Sequence, residues 1–257
     1  MLTETIKILL LPFLGTALGS ACVIFIKKQL NPLFQKSMNA FAAGIMIAAS
    51  VWSLIIPSVE LASINYKYPF LPAAIGLWLG IIFFFAIDYL LIKFSSTDEN
   101  NGTIFRKKTL PLLAVAIHNF PEGMALGVLF AAWLSGSEQV AYSAVFALAL
   151  GIAVQNFPEG SIISVPLFVN GTTKPVAFML GILSAVAETL GTLLTVLAAS
   201  YVLPLLPYLM CFAAGAMIYV VIGELCPEMS EDGNSNVAIL MFTVGFSLMM
   251  MLDIAIG

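Results

Sequence analysis

Charged side chains are scarce in this chain: 10 lysines and arginines and 14 aspartates and glutamates amount to 9% of 257 residues, against 61% hydrophobic. A soluble domain carries roughly 25% charged residues, so a water-facing globular protein is excluded and a polytopic membrane protein remains. The mean hydropathy of +1.04 agrees. No large basic domain exists, which removes nucleic acid as a partner. Cysteine is also rare. Cys22, Cys211 and Cys226 are odd in number, sit in or beside apolar runs and form no CxxC spacing, so neither a disulfide framework nor a soluble zinc module fits. Histidine occurs once, as His118. The formal charge of −4 does not describe an acidic surface, because several carboxylates fall inside apolar runs.

Apolar runs are what the chain has in place of charge. Eight segments are long enough to cross ~30 Å of hydrocarbon: 5–26, 39–59, 70–92, 109–134, 139–169, 175–200, 203–226 and 236–256. The first is read as a retained helix, since Lys27 and Lys28 follow it instead of preceding it as a secretory leader requires. Breaks after the first, third and fifth segments hold Lys27, Lys28, Lys36, Lys93, Arg106, Lys107, Lys108 and Lys174, against Lys7 and Lys67 on the other side. That bias puts the eight-cation side in the cytoplasm and both termini outside. The longest break, 95–108, is polar and carries neither histidine nor cysteine, which reads as a solvated linker. The whole chain, 1–257, is then a single membrane domain.

An internal repeat runs through these segments. Phe41-Ala42-Ala43-Gly44-Ile45-Met46 returns as Phe212-Ala213-Ala214-Gly215-Ala216-Met217, and Leu18-Gly19-Ser20 as Leu190-Gly191-Thr192. Gly80 precedes Asp88 by the same eight residues that separate Gly245 from Asp253. Helices one to three therefore match six to eight. A shift of five helices reverses direction through the membrane, so the repeat is inverted, as in secondary transporters with a polar site at the repeat interface.

Between the repeats lies a phrase that occurs twice, HNFPEG at 118–123 and QNFPEG at 155–160. His118 and Glu122 are four residues apart, as are Gln155 and Glu159, so each pair shares a helical face, flanked by Asn119 and Asn156. Each proline lacks an amide donor and crowds the carbonyl four residues back, on Ile117 and Val154, which is tolerable in a bilayer only around an enclosed polar cavity. Glu122, Glu159 and Glu188 all fall midway along their segments. A charge at that depth costs roughly 2.5–3.5 kcal/mol on insertion scales. No lysine or arginine is available there, so cations or protons must compensate. Imidazole, carboxylate, amide oxygen and a thioether such as Met46 suit zinc or iron(II). Two other readings of the same groups are a metal-selective channel and, against the absence of an HExxH helix, an intramembrane metalloenzyme.

The pair HNFPEG and QNFPEG, with AETLG at 187–191 and the FAAG-x-M stretch ending at Met46, resembles the ZIP (Zrt/Irt-like) family of divalent-metal transporters over nearly the whole chain, and Gln155 looks like its bacterial GufA-type branch. The resemblance implies an all-α membrane protein of eight helices arranged 3+2+3, a homodimer in the cell's inner (plasma) membrane, and transport without enzyme activity or organic cofactor. Zn²⁺, with Fe²⁺, Mn²⁺ or Cd²⁺ as further cargo, would enter the cytoplasm by alternating access, helices one, four, five and six moving against two, three, seven and eight. By position, His118, Glu122, Gln155, Glu159 and Met46 would form one metal site. Asn119, Asn156 and Glu188, sharing Glu122 and Glu159, would form a second. Glu60 and Asp253 match the entrance, and Asp88 and Glu224 would line the exit. Many members have histidine where Gln155 stands and a histidine-rich loop that this chain lacks; an amide oxygen in place of imidazole implies a broader metal range.

Overall fold

A computed structural model describes residues 2–26, 31–96, 119–120, 122–137, 140–169, 171–198, 201, 205–230 and 235–256. Every regular element among them is helical. In chain order these are α1 (Leu2–Phe25), α2 (Pro32–Ala49), α3 (Ile56–Asn65), α4 (Phe70–Ser96), α5 (Glu122–Leu134), α6 (Tyr142–Val169), α7 (Lys174–Leu197), α8 (Leu206–Val220), α9 (Cys226–Ser230) and α10 (Ser235–Ile256). Seven helices among the described residues are long and apolar enough to cross a membrane, and α5 is the described part of the expected fourth segment. The polar break falls outside the described residues beyond Ser96.

The second span is longer than the apolar run that announces it, reaching from 32 to 65 instead of 39 to 59. At its start the Asn31 side chain accepts the Leu33 N–H at 2.9 Å, and Pro32 occupies the first turn, where no amide donor is needed. Lys36, expected in a solvated break, therefore lies inside α2 and is 8% exposed. At its end Pro57 does not stop the helix. A π turn over Ser50–Ile55 resets the hydrogen-bond ladder just before it, and α3 takes Pro57 in its first turn, where a missing N–H costs nothing. The same device follows α8: a π turn over Val221–Leu225, then α9 with Pro227 as its second residue.

Helix α1 packs most extensively on α6 and next on α7, α2 packs on α10, and α4 on α8. The contacts recur in reciprocal pairs. A methyl group on Gly44 would collide with the Phe242 carbonyl, and one on Gly215 with the Leu77 carbonyl; Gly245 stands against Phe41 as Gly80 stands against Phe212. In the other group, Gly19 meets the Phe157 carbonyl as Gly191 meets that of Phe120, and Gly160 meets Thr16 as Gly123 meets Glu188. Each pair uses the residues that the sequence repeat matches. Absence of Cβ is what lets these backbones touch, the usual way that helices associate where no hydrophobic force drives them together.

These contacts form four close pairs, α1 with α6, α5 with α7, α2 with α10 and α4 with α8, and none of them joins the set α1, α5, α6 and α7 to the set α2, α4, α8 and α10. Packing between the sets includes α2 and α10 on α6. There Gly151 of α6 faces the flexible thioether of Met249 on α10 in place of a backbone. Large apolar side chains such as Trp78, Phe85, Leu240 and Ile254 point outward and exposed. In water such a surface would drive aggregation; in a bilayer it is the lipid-facing surface.

Candidate metal centre

The described parts of the twin phrases come together through Glu122, Gln155 and Glu159. Glu122 opens α5, preceded by Asn119 and Phe120 in helical conformation, while Gln155, Asn156 and Glu159 lie in the middle of α6. Helix α6 continues through Pro158 to Val169. Helix α7 brings Glu188 from its buried face. His118, Pro121 and Ile117 lie outside the described residues.

Burial here is nearly complete. Asn119 and Asn156 are 0% exposed, Glu122 1%, and Gln155 and Glu188 2%, whereas Glu159 is half-buried. The Asn156 amide donates to Glu188 Oε2 at 2.6 Å and lies 3.4 Å from the Pro12 carbonyl of α1. Asn119 donates at 3.4 Å to the Ser184 carbonyl of α7. Because Pro12 and Ser184 occupy equivalent places in the repeat, each asparagine is held by the helix opposite and its oxygen is turned away from that carbonyl. Glu122 stands within electrostatic reach of Glu159 and Glu188, with the Gln155 amide beside it.

Several buried atoms in this cluster make no hydrogen bond of good geometry: Asn119 Oδ1, Asn156 Oδ1, Glu122 Oε2, both polar atoms of Gln155, and Glu188 Oε1. A buried polar atom left unsatisfied costs about 1–3 kcal/mol, and charged carboxylates cost more. Apart from the Gln155 nitrogen, all are oxygen acceptors, the donor type that a cation satisfies. Among the described residues no three of His, Cys, Asp and Glu form a ligand cluster by themselves; the convergence depends on amides as well as carboxylates.

The remaining expected residues stand in other surroundings. Met46 is buried in the apolar cluster that also holds Ile152 and Met217. Asp253 is half-buried and accepts the Ser53 hydroxyl at 2.7 Å. Asp88 is also half-buried and accepts the Tyr219 hydroxyl at 3.0 Å. Glu60 is exposed on α3, and Glu224 lies in the second π turn with its side chain outside the described residues. Sequence reasoning missed Ser53 and Tyr219, since a lone serine or tyrosine in an apolar run carries no periodic signal. It also missed the cross-helix roles of Pro12 and Ser184, which act through backbone carbonyls.

Comparison with known proteins bears on this arrangement. A profile described as the ZIP zinc transporter family matches residues 107–253. The chain is 31% identical to zinc transporter ZIP11 of Xenopus tropicalis, with 94% of each chain covered. It is 33% identical to zinc transporter GufA of Myxococcus xanthus, covering 95% of this chain and 96% of that one. It is 34% identical to zinc transporter ZIPB of Bordetella bronchiseptica, covering 95% of this chain and 79% of the other. The buried carboxylate–amide cluster on lipid-bounded helices thus lies in a multi-pass membrane protein that belongs to the ZIP family of zinc transporters, a family of transporters rather than enzymes.

Proposed function

We propose that the chain carries Zn²⁺ into the cytoplasm, with Fe²⁺, Mn²⁺ and Cd²⁺ as further cargo, through a binuclear site between the fourth, fifth and sixth spans. The observation that carries this reading is the set of buried oxygen acceptors without a well-formed hydrogen bond on Asn119, Glu122, Gln155, Asn156 and Glu188. His118, Glu122, Gln155, Glu159 and Met46 hold one ion; Asn119, Asn156 and Glu188 hold the second, sharing Glu122 and Glu159. Carboxylates supply the charge that offsets dehydration of a divalent ion, and amide oxygens complete the shell without adding repulsion. One amide in place of imidazole softens the preference for zinc.

Movement is by alternating access in a 3+2+3 inverted repeat. The set α1, α5, α6 and α7 carries the metals against the set α2, α4, α8 and α10. Backbone-on-backbone glycine contacts within each set, and a thioether against Gly151 between them, support that division. Asp253 with Ser53, and Glu60, receive the ion outside; Asp88 with Tyr219, and Glu224, release it inside. The protein works as a homodimer in the inner membrane with both termini outside, an orientation supported by the positive-inside bias. Uptake into proteoliposomes tests the reading, with zinc, cadmium, iron and manganese compared under imposed pH gradients. Saturable zinc uptake that vanishes in the Glu122→Ala, Glu159→Ala double variant is the expected result; unchanged uptake in that variant would sink it.

A further inference from the structure

Three threonines lie along α7, and two of them bond their own helix: Thr189 Oγ1 reaches the Ala185 carbonyl at 2.9 Å and Thr195 Oγ1 the Gly191 carbonyl at 2.8 Å. Thr192 does more. Its hydroxyl lies 3.2 Å from the Glu188 carbonyl on its own helix and 3.0 Å from the Gly123 carbonyl on α5. One proton is therefore shared between the carbonyls of Glu188 and of Gly123, the residue next after Glu122. The repeat copy has the cross-helix contact of this arrangement, with Ser20 of α1 reaching the carbonyl of Gly160, the residue next after Glu159, at 3.4 Å. Both hydroxyl residues are buried, at 1% and 0% exposure.

Glycine packing brings these helices together but does not fix where each stops along the other. Gly123 lies directly on the Glu188 backbone, and Gly160 on that of Thr16. A smooth glycine face permits sliding; a directed hydrogen bond to one carbonyl sets the register. Ligands must be held within about 0.5 Å of the productive geometry, which a register error of a fraction of a turn exceeds.

We propose that Thr192 is a positioning residue of the transport site, its hydroxyl fixing the separation of Glu122 from Glu188, and that Ser20 does the same for Glu159 against α1. This rests on the reading of Glu122, Glu159 and Glu188 as metal ligands. Neither hydroxyl touches the ion. Their loss acts through the spacing of carboxylates, so it weakens metal binding while the helices stay packed.

The experiment measures zinc affinity of purified protein by competition with a chromophoric chelator, together with KM and Vmax for zinc uptake in proteoliposomes. Thr192→Val keeps the shape and removes the hydroxyl; the dissociation constant and KM should both rise about three- to tenfold, with Vmax within about twofold, as loss of one neutral hydrogen bond implies. Thr192→Ser should restore both. Ser20→Ala, a smaller perturbation, should produce the same split and carries the test if Thr192→Val does not yield folded protein. A lowered Tm with unchanged zinc affinity in the folded variants, or failure of Thr192→Ser to restore it, would overturn the proposal. Glu188→Ala separates the two levels. If it binds zinc as the wild type does, the ligand reading fails; if it loses zinc while Thr192→Val and Ser20→Ala keep it, positioning alone fails.

Discussion

Asn156 holds Glu188: the amide nitrogen of one lies 2.6 Å from the carboxylate of the other, across the contact between α6 and α7. The same amide lies 3.4 Å from the Pro12 carbonyl, so one side chain joins three helices at the centre of the site. Replacement by the nearly isosteric aspartate sets two carboxylates at that distance, where like charges cannot both ionise without a cation. Asn156→Asp should therefore lower the metal-free Tm by several degrees and enlarge the zinc-induced rise in Tm, because ligand binding to the native state adds stability. Thermal unfolding in chelator and in zinc checks it; a metal-free Tm equal to that of the wild type would show that Asn156 does not brace Glu188.

Gln155 and His118 occupy matching places in the two phrases, and Gln155 is buried with both amide atoms lacking well-formed partners. Gln155→His supplies a nitrogen ligand in place of an oxygen, which suits zinc over manganese. The expected change is a shift of the zinc-to-manganese uptake ratio by about tenfold toward zinc, equivalent to ~1.4 kcal/mol. Competitive uptake of the two metals measures it, and an unaltered ratio would remove Gln155 as a selectivity determinant.

Gly123 and Gly151 should respond differently to alanine. At Gly123 the added methyl meets the Glu188 backbone, which cannot yield without parting α5 from α7; overpacking of this kind costs about 1–3 kcal/mol or more. Uptake should be lost, and shortening a side chain elsewhere should not restore it. At Gly151 the methyl meets the end of the Met249 side chain, which is flexible. Gly151→Ala should slow transport, and adding Met249→Ala should recover most of the rate. A double variant no faster than the single would show that these residues are not coupled.

Ser53 and Asp253 are joined at 2.7 Å between the first π turn and α10. Ser53→Ala removes one hydrogen bond to a carboxylate, worth about 1.5–3 kcal/mol when the acceptor is charged. KM for zinc should rise several-fold with little change in the affinity of the central site, since the turn that carries Ser53 packs on α2, α3, α8 and α10. Equal losses at both would place Ser53 in the site itself.

Much of this molecule is legible without coordinates, and for a physical reason. A bilayer admits only segments that satisfy their own backbone hydrogen bonds, so spanning helices appear as apolar runs. The carboxylates of Glu122, Glu159 and Glu188 stand out because their surroundings are apolar. The repeat is legible as well, since Gly19, Gly44, Gly191 and Gly215 mark positions where any side chain would collide with a neighbouring backbone. The extent of the second span was not legible. Asn31, Lys36 and Pro57 all suggest breaks, yet a cap, burial within the bundle and a π turn absorb them.

What the sequence determines by itself is therefore the class of protein, the number of apolar runs and which polar residues stand among them. Tertiary structure alone decides which of those residues meet. That the Asn119 and Asn156 amides rest on carbonyls of opposite helices, that Thr192 reaches the Gly123 carbonyl, and that Ser53 and Tyr219 engage Asp253 and Asp88 are contacts between residues far apart in the chain. Three of the groups involved, the Pro12, Ser184 and Gly123 carbonyls, belong to the backbone, which every residue possesses. No pattern of side chains can announce them; only the approach of one glycine-faced helix to another brings them into reach.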